Sequence, residues 1–230
     1  MYYLNTDVQY KLYQKVVNNR IFVDKSLMIE EVSKAIGTGN PYICITRPRR
    51  FGKTVNANML GAYYTKGCDS HEIFDSLAIS AAEQYEKHIN QYNVIHIDFS
   101  QYPDYCGGYE DYIKDITETL KEDLREAYPQ LKDREYRSLS RMLQDTGEAF
   151  IFILDEWDSI FYENFMTDRD KSSFLKFLKV LLKDRPYVEL AYMTGILPIA
   201  KYSSRSELNM FDEYDFMYDN IYDSYFGFSE

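Results

Sequence analysis

Two short stretches of the chain carry residue types that could do chemistry on a phosphate. The first is Gly52-Lys53-Thr54, which closes the run TRPRRFGKT at 46–54. Placed after a buried strand and at the start of a helix, the backbone N–H groups of Phe51, Gly52, Lys53 and Thr54 would face an anion at the positive end of the helix dipole. Lys53 would reach the terminal phosphates of a nucleotide, and the Thr54 hydroxyl would ligate Mg²⁺. Three residues are a weak signal alone, and Arg47, Arg49, Arg50 and Lys53 also read as a basic patch for a nucleic-acid backbone.

The second stretch is FIFILDEWD at 150–158. A strand ending in Asp155-Glu156 puts two carboxylates at its carboxyl end, where open α/β sheets bind ligands. Asp155 would hold the water shell of Mg²⁺, and Glu156 would take a proton from an attacking water. The plainer reading of such an acid is a helix cap, but its pairing with Gly-Lys-Thr on an earlier strand favours catalysis. Thr194 ends the following strand. There a hydroxyl could sense a γ-phosphate or position water, or could serve the turn before Gly195.

The elements that must position these residues are legible as alternating strand and helix signals. The runs at 42–46, 94–99, 150–154 and 188–194 are short, rich in β-branched and aromatic residues and apolar on both faces. They read as central parallel strands. Helices are expected over 54–66, stopped by Gly67; over 109–127, with Tyr112, Ile113, Ile116, Leu120 and Leu124 along one stripe; and over 172–183, halted near Pro186. The alternation specifies an α/β fold, a three-layer sandwich with helices on both faces of a mostly parallel sheet. Asp155 lies 155 − 53 = 102 positions after Lys53, with the strand at 94–99 between them. That is the order of P-loop ATPases with an additional central strand and a catalytic glutamate.

Composition narrows the partners. Lys plus Arg number 26 against 37 Asp plus Glu, a formal charge of −11, so the chain as a whole has no attraction for polyanions and any phosphate must be held locally. No apolar run approaches the roughly 20 residues that cross a bilayer, and the N-terminus lacks a signal-peptide layout, so a cytoplasmic protein with no membrane partner is expected. Cys44, Cys68 and Cys106 have neither zinc nor disulfide spacing and read as free thiols. His71, His88 and His96 form no metal spacing.

The run Thr46 to Thr54 resembles the signature T-R-P-R-R-F-G-K-[ST] of the AAA-ATPase-like family, which is largely bacterial. The likeness continues through FVDKS at 22–26, ILDEWD at 153–158, MTGILPIAKY at 193–202, SELNMFDEYD at 206–215 and YFGFSE at 225–230. It implies a P-loop NTPase fold, ATP and Mg²⁺ as ligands, and ATP hydrolysis, with Lys53, Thr54, Asp155 and Glu156 in the roles above. The family pattern has arginine where Arg47 stands. Pro48 has no N–H to donate, so the phosphate cradle should begin about two residues later than usual, with Arg49 or Arg50 supplying positive potential. The resemblance implies a single core over 1–230, without the lid and nuclease-like C-terminal domain found in many members. Arg205 is the only arginine after Arg185. The tail at 206–230 holds seven acids, eight Tyr or Phe and no Lys or Arg. It reads as a last strand and loops packed on the sheet, or as a surface for a protein partner or further domain. The function expected is an Mg-dependent ATPase driving a conformational or assembly step. A nucleotide-binding switch with little hydrolysis and a nucleic-acid-binding protein stay open beside it. A P-loop kinase is a lesser rival, since the sequence displays no acceptor pocket.

Overall fold

Strands that are apolar at consecutive positions must be covered on both faces, and the helices of the chain supply both covers. The computed structural model describes residues 1–202, 207–215, 217 and 221–227. Its strands are β1 (Tyr42–Thr46), β2 (Asn93–Asp98), β3 (Phe150–Asp155), β4 (Val188–Gly195) and β5 (Asp212–Tyr214). They form one parallel sheet in the order β2-β3-β4-β1-β5. The helices in chain order are α1 (Val8–Val17), α2 (Met28–Ser33), α3 (Lys53–Tyr64), α4 (His71–Phe74), α5 (Tyr85–His88), α6 (Tyr109–Ala127), α7 (Leu139–Asp145), α8 (Asp168–Leu182) and α9 (Ile199–Tyr202).

The strand period of two sorts the sheet into two cores. Ile43, Ile45, Ile151, Ile153, Leu190 and Tyr192 pack with α1, α2 and α3. Cys44, Phe150, Phe152, Leu154, Ala191 and Met193 pack with α6, α7 and α8 on the other face. The same period carries the polar strand ends. Asp155 follows Ile151 and Ile153, Thr194 follows Leu190 and Tyr192, and Asp98 follows Val94 and His96, so all three belong to the α3 side at one end of the sheet.

The expected α/β sandwich is present, with corrections in detail. Of the four strands read as central, β2 ends the row. Its free edge is covered by the N-terminal residues, with Asn5 N–H donating to the Val94 carbonyl at 2.8 Å and His96 N–H to that of Tyr3 at 3.0 Å, which removes an open edge. Between β1 and β3 stands a further strand, β4, in keeping with the additional central strand expected. The helix expected over 172–183 begins at Asp168 because Thr167 and Asp170 form a reciprocal capping box. Helix α3 ends at Tyr64, two residues early, where Lys66 N–H turns to the Tyr92 carbonyl at 2.8 Å. The segment after β4 does supply a last strand, since β5 pairs in parallel with β1. Arg205 and parts of the acidic aromatic tail lie outside the described residues.

Candidate functional site

The loop between β1 and α3 turns sharply, and it does so through two left-handed residues, Arg50 at φ 70° and Gly52 at φ 84°. Gly52 is the residue before α3, and a side chain there would be strained. The N–H groups of the first turn of α3 have no acceptor inside the helix. Thr54 lies exposed at the mouth, whereas Lys53 is 96% buried. Its ammonium spans the loop, 3.3 Å from the Pro48 carbonyl and 3.3 Å from Glu156 Oε1.

The strand carrying the acidic pair is the second from the loop strand, with β4 between them; the Lys53 side chain bridges that gap to Glu156. That placement explains Thr194. Its hydroxyl donates to Asp155 Oδ1 and accepts the Glu156 N–H at 3.2 Å, so one side chain holds both acids. Asp155 is fully buried, and its Oδ2 meets no partner in good hydrogen-bond geometry. Burial pushes its pKa up to about 6, against the pull of Thr194 and of the nearby Thr54 hydroxyl, with Asp98 and Glu156 adding repulsion. Glu156 adopts φ 50°, a conformation that non-glycine residues rarely take. These residues fit a bound divalent cation, because a buried carboxylate with a free oxygen beside an exposed threonine hydroxyl is a hard-oxygen donor set lacking its counter-charge.

Two cavities flank the loop. One of about 280 Å³ is lined by Val16, Phe22, Phe51, Val55, Met59 and Tyr225 among others. It is mostly apolar, and Phe22 comes from the FVDKS stretch. The other, of about 480 Å³, opens beyond Thr54 and Asp155 toward β2.

The arginines divide. Arg49 and Arg50 are exposed, with neither a hydrogen bond nor an ion pair among the described residues. Arg47 is 99% buried; it donates to the carbonyls of Thr46 and Tyr214 at 2.9 Å each, pairs with Asp223 at 3.2 Å and lies over the Phe226 ring. The residue that replaces the usual first glycine is therefore a tie between the loop and the segment 221–227. Gly227 N–H to the Phe51 carbonyl at 3.1 Å and Asn56 to the Tyr225 carbonyl at 3.0 Å add to that tie. Sequence reasoning missed it, as it missed Asp158. That fully buried carboxylate accepts the N–H groups of Ile196 and Leu197 at 3.1 Å each and pins the turn after Thr194. The third acid of the DEWD run was the available signal.

The cysteines are free thiols, as expected. Among the described residues no group of three His, Cys, Asp or Glu could hold a metal ion by itself, and no helix is long and apolar enough to cross a membrane.

Comparison with known proteins gives one informative match. No curated protein matches the chain. A structure of C. elegans PCH-2 is among the similar solved structures, at 13% identity and a TM-score of 0.35, covering 90% of this chain but 42% of that one. At that score the likeness decides nothing. The model described as "Predicted AAA-ATPase" matches residues 11–204, which include both the phosphate-type loop and the acidic pair, and the chain belongs to that AAA-ATPase-like family.

Proposed function

We propose that the chain binds Mg-ATP at the loop between β1 and α3 and hydrolyses it, with the cycle driving a conformational or assembly step. The observation behind this reading is Asp155: buried, held by Thr194, left with one unpartnered oxygen, and with its pKa pushed up to about 6. A bound cation would stabilise the ionised form of a carboxylate so placed. Mg²⁺, held by Thr54 and through Asp155, would supply charge neutralisation on the β- and γ-phosphate oxygens when bound.

The chain's own residues do the rest. The N–H groups of Phe51, Gly52, Lys53 and Thr54 hold the phosphates, and the unpaired Arg49 and Arg50 add positive potential where Pro48 offers no donor. The apolar cavity beside Phe51 takes the base. Lys53 turns from Glu156 to the phosphate, and that exchange frees Glu156 to take a proton from the attacking water. Thr194 holds the Glu156 backbone while it does so. The hydrogen bonds from the loop to Tyr225 and Gly227 give a loop movement a path into the segment 221–227.

The test is phosphate release from ATP by the purified chain and by Glu156→Gln. The variant keeps length and hydrogen bonding but loses the base. It should bind Mg-ATP at least as well and lose about 10²- to 10⁴-fold in turnover. Unchanged turnover would make Glu156 a structural partner of Lys53. Tight binding without turnover in the parent chain would favour the nucleotide switch.

A further inference from the structure

The cavity of about 480 Å³ beyond Thr54 and Asp155 is within the range of small-molecule sites, and its walls have a consistent chemistry. Asp98, Asp115 and Asp155 line it, and no Lys or Arg does. Met1 also lines it, and its ammonium is drawn toward Glu126 and Asp123 at 3.4 and 3.9 Å. His96 forms part of the wall; it is 93% buried and its Nε2 has no hydrogen-bond partner. Burial lowers its pKa to about 4, so it is neutral at physiological pH and able to accept as well as donate.

Two further details define what such a cavity takes. Asp98 is held in a fixed direction by the Ser100 N–H, the Ser100 hydroxyl and the Gln101 amide at 2.9, 2.6 and 2.8 Å, and Asp115 by the Tyr105 hydroxyl. The acids nevertheless do not converge, since among the described residues no three ligating groups gather closely enough for a metal ion. The negative charge accessible from the cavity is divided between Asp98 and Asp115, both half-buried, with Asp155 buried behind the wall. Tyr3 and Tyr102 supply aromatic surface beside it, the kind of face that attracts an ammonium group.

We infer that this cavity is a second ligand site, for a small extended organic cation carrying two or more ammonium groups, a polyamine in chemical class. One ammonium lies between Asp98 and the inner wall, and another reaches Asp115. That such a ligand sits beside a triphosphate rests on the proposed nucleotide site; the cavity and its charge do not.

Isothermal titration of the nucleotide-free chain with spermidine and putrescine, at about 0.1 M salt, tests the inference. One equivalent of spermidine should bind, more tightly than putrescine. Asp98→Asn and Asp115→Asn should each weaken it about tenfold, the effect of one partly screened charge, with unchanged thermal melting. Asp115→Asn should leave ATP affinity within about twofold. No saturable heat at millimolar spermidine, or equal binding by both variants and the parent, overturns the site. Spermidine binding without ATP binding would sink the ATPase reading and leave this one standing; ATP binding without spermidine does the reverse.

Discussion

At the scale of single residues, the site is a set of charges held away from their preferred partners. Asp155 shows this most clearly. A carboxyl whose folded pKa is raised from 3.8 to about 6 costs the fold stability above that pH, and the cost vanishes as pH falls below the lower value. Asp155→Asn should therefore melt several degrees higher than the parent at pH 8 without nucleotide, with the gap closing as pH falls through 6 toward 4. It should at the same time lose Mg-dependent ATP binding, a common exchange of function for stability. Equal melting at pH 8 would mean that the buried carboxylate has a compensating partner. Arg49 and Arg50 have the opposite character: both are exposed, and in the proposed site they add potential for phosphate. Replacing both with Gln should weaken ATP several-fold more than AMP, because only ATP presents β- and γ-phosphates to the loop. Equal losses for ATP and AMP would instead indicate a distorted loop.

At the scale of elements, the sheet order does the positioning. Because β4 lies between β1 and β3, its terminal Thr194 adjoins the end of β3 and can hold both acids. Gly195 makes that position attainable. A Cβ there would fall 2.4 Å from the indole nitrogen of the buried Trp157 and 3.0 Å from Asp158. Gly195→Ala should cost about 1–3 kcal/mol by denaturant melting, as overpacking does, and should lower turnover more than ATP affinity because Thr194 and Glu156 move with Trp157. A variant of parental stability and turnover would refute this account of the turn. Element types were legible in the sequence: four strands and the helix at 109–127 follow from runs and stripes whose burial is decided locally. Their neighbours were not. Which strand separates β1 from β3 depends on where the crossovers go, and neither composition nor spacing carries that. The start of α8 was missed because the capping box of Thr167 and Asp170 was not recognised.

At the scale of the whole molecule, an acidic chain gathers Arg47, Arg49, Arg50 and Lys53 into one loop and ties that loop to the distant segment 221–227. That Lys53, Thr54, Asp155, Glu156 and Thr194 come together was readable from their strand-end and helix-start positions. Arg47 was not readable as a tie. Its partners Tyr214 and Asp223 lie 167 and 176 residues away, and only the folded sheet brings them to the loop. With Arg47 and Lys53 buried, the basic run presents Arg49 and Arg50 to solvent, a small footprint for a nucleic-acid backbone. The central claim is that this loop is a nucleotide site. The most direct test is calorimetric titration of the chain and of Lys53→Ala with ATP, with and without Mg²⁺. The account predicts that Mg²⁺ strengthens binding by the parent chain. It also predicts that the variant, still folded, binds at least about thirtyfold more weakly, the cost of about 2 kcal/mol or more when a buried charge partner is truncated. Binding of ATP by Lys53→Ala with the parent's affinity would contradict it.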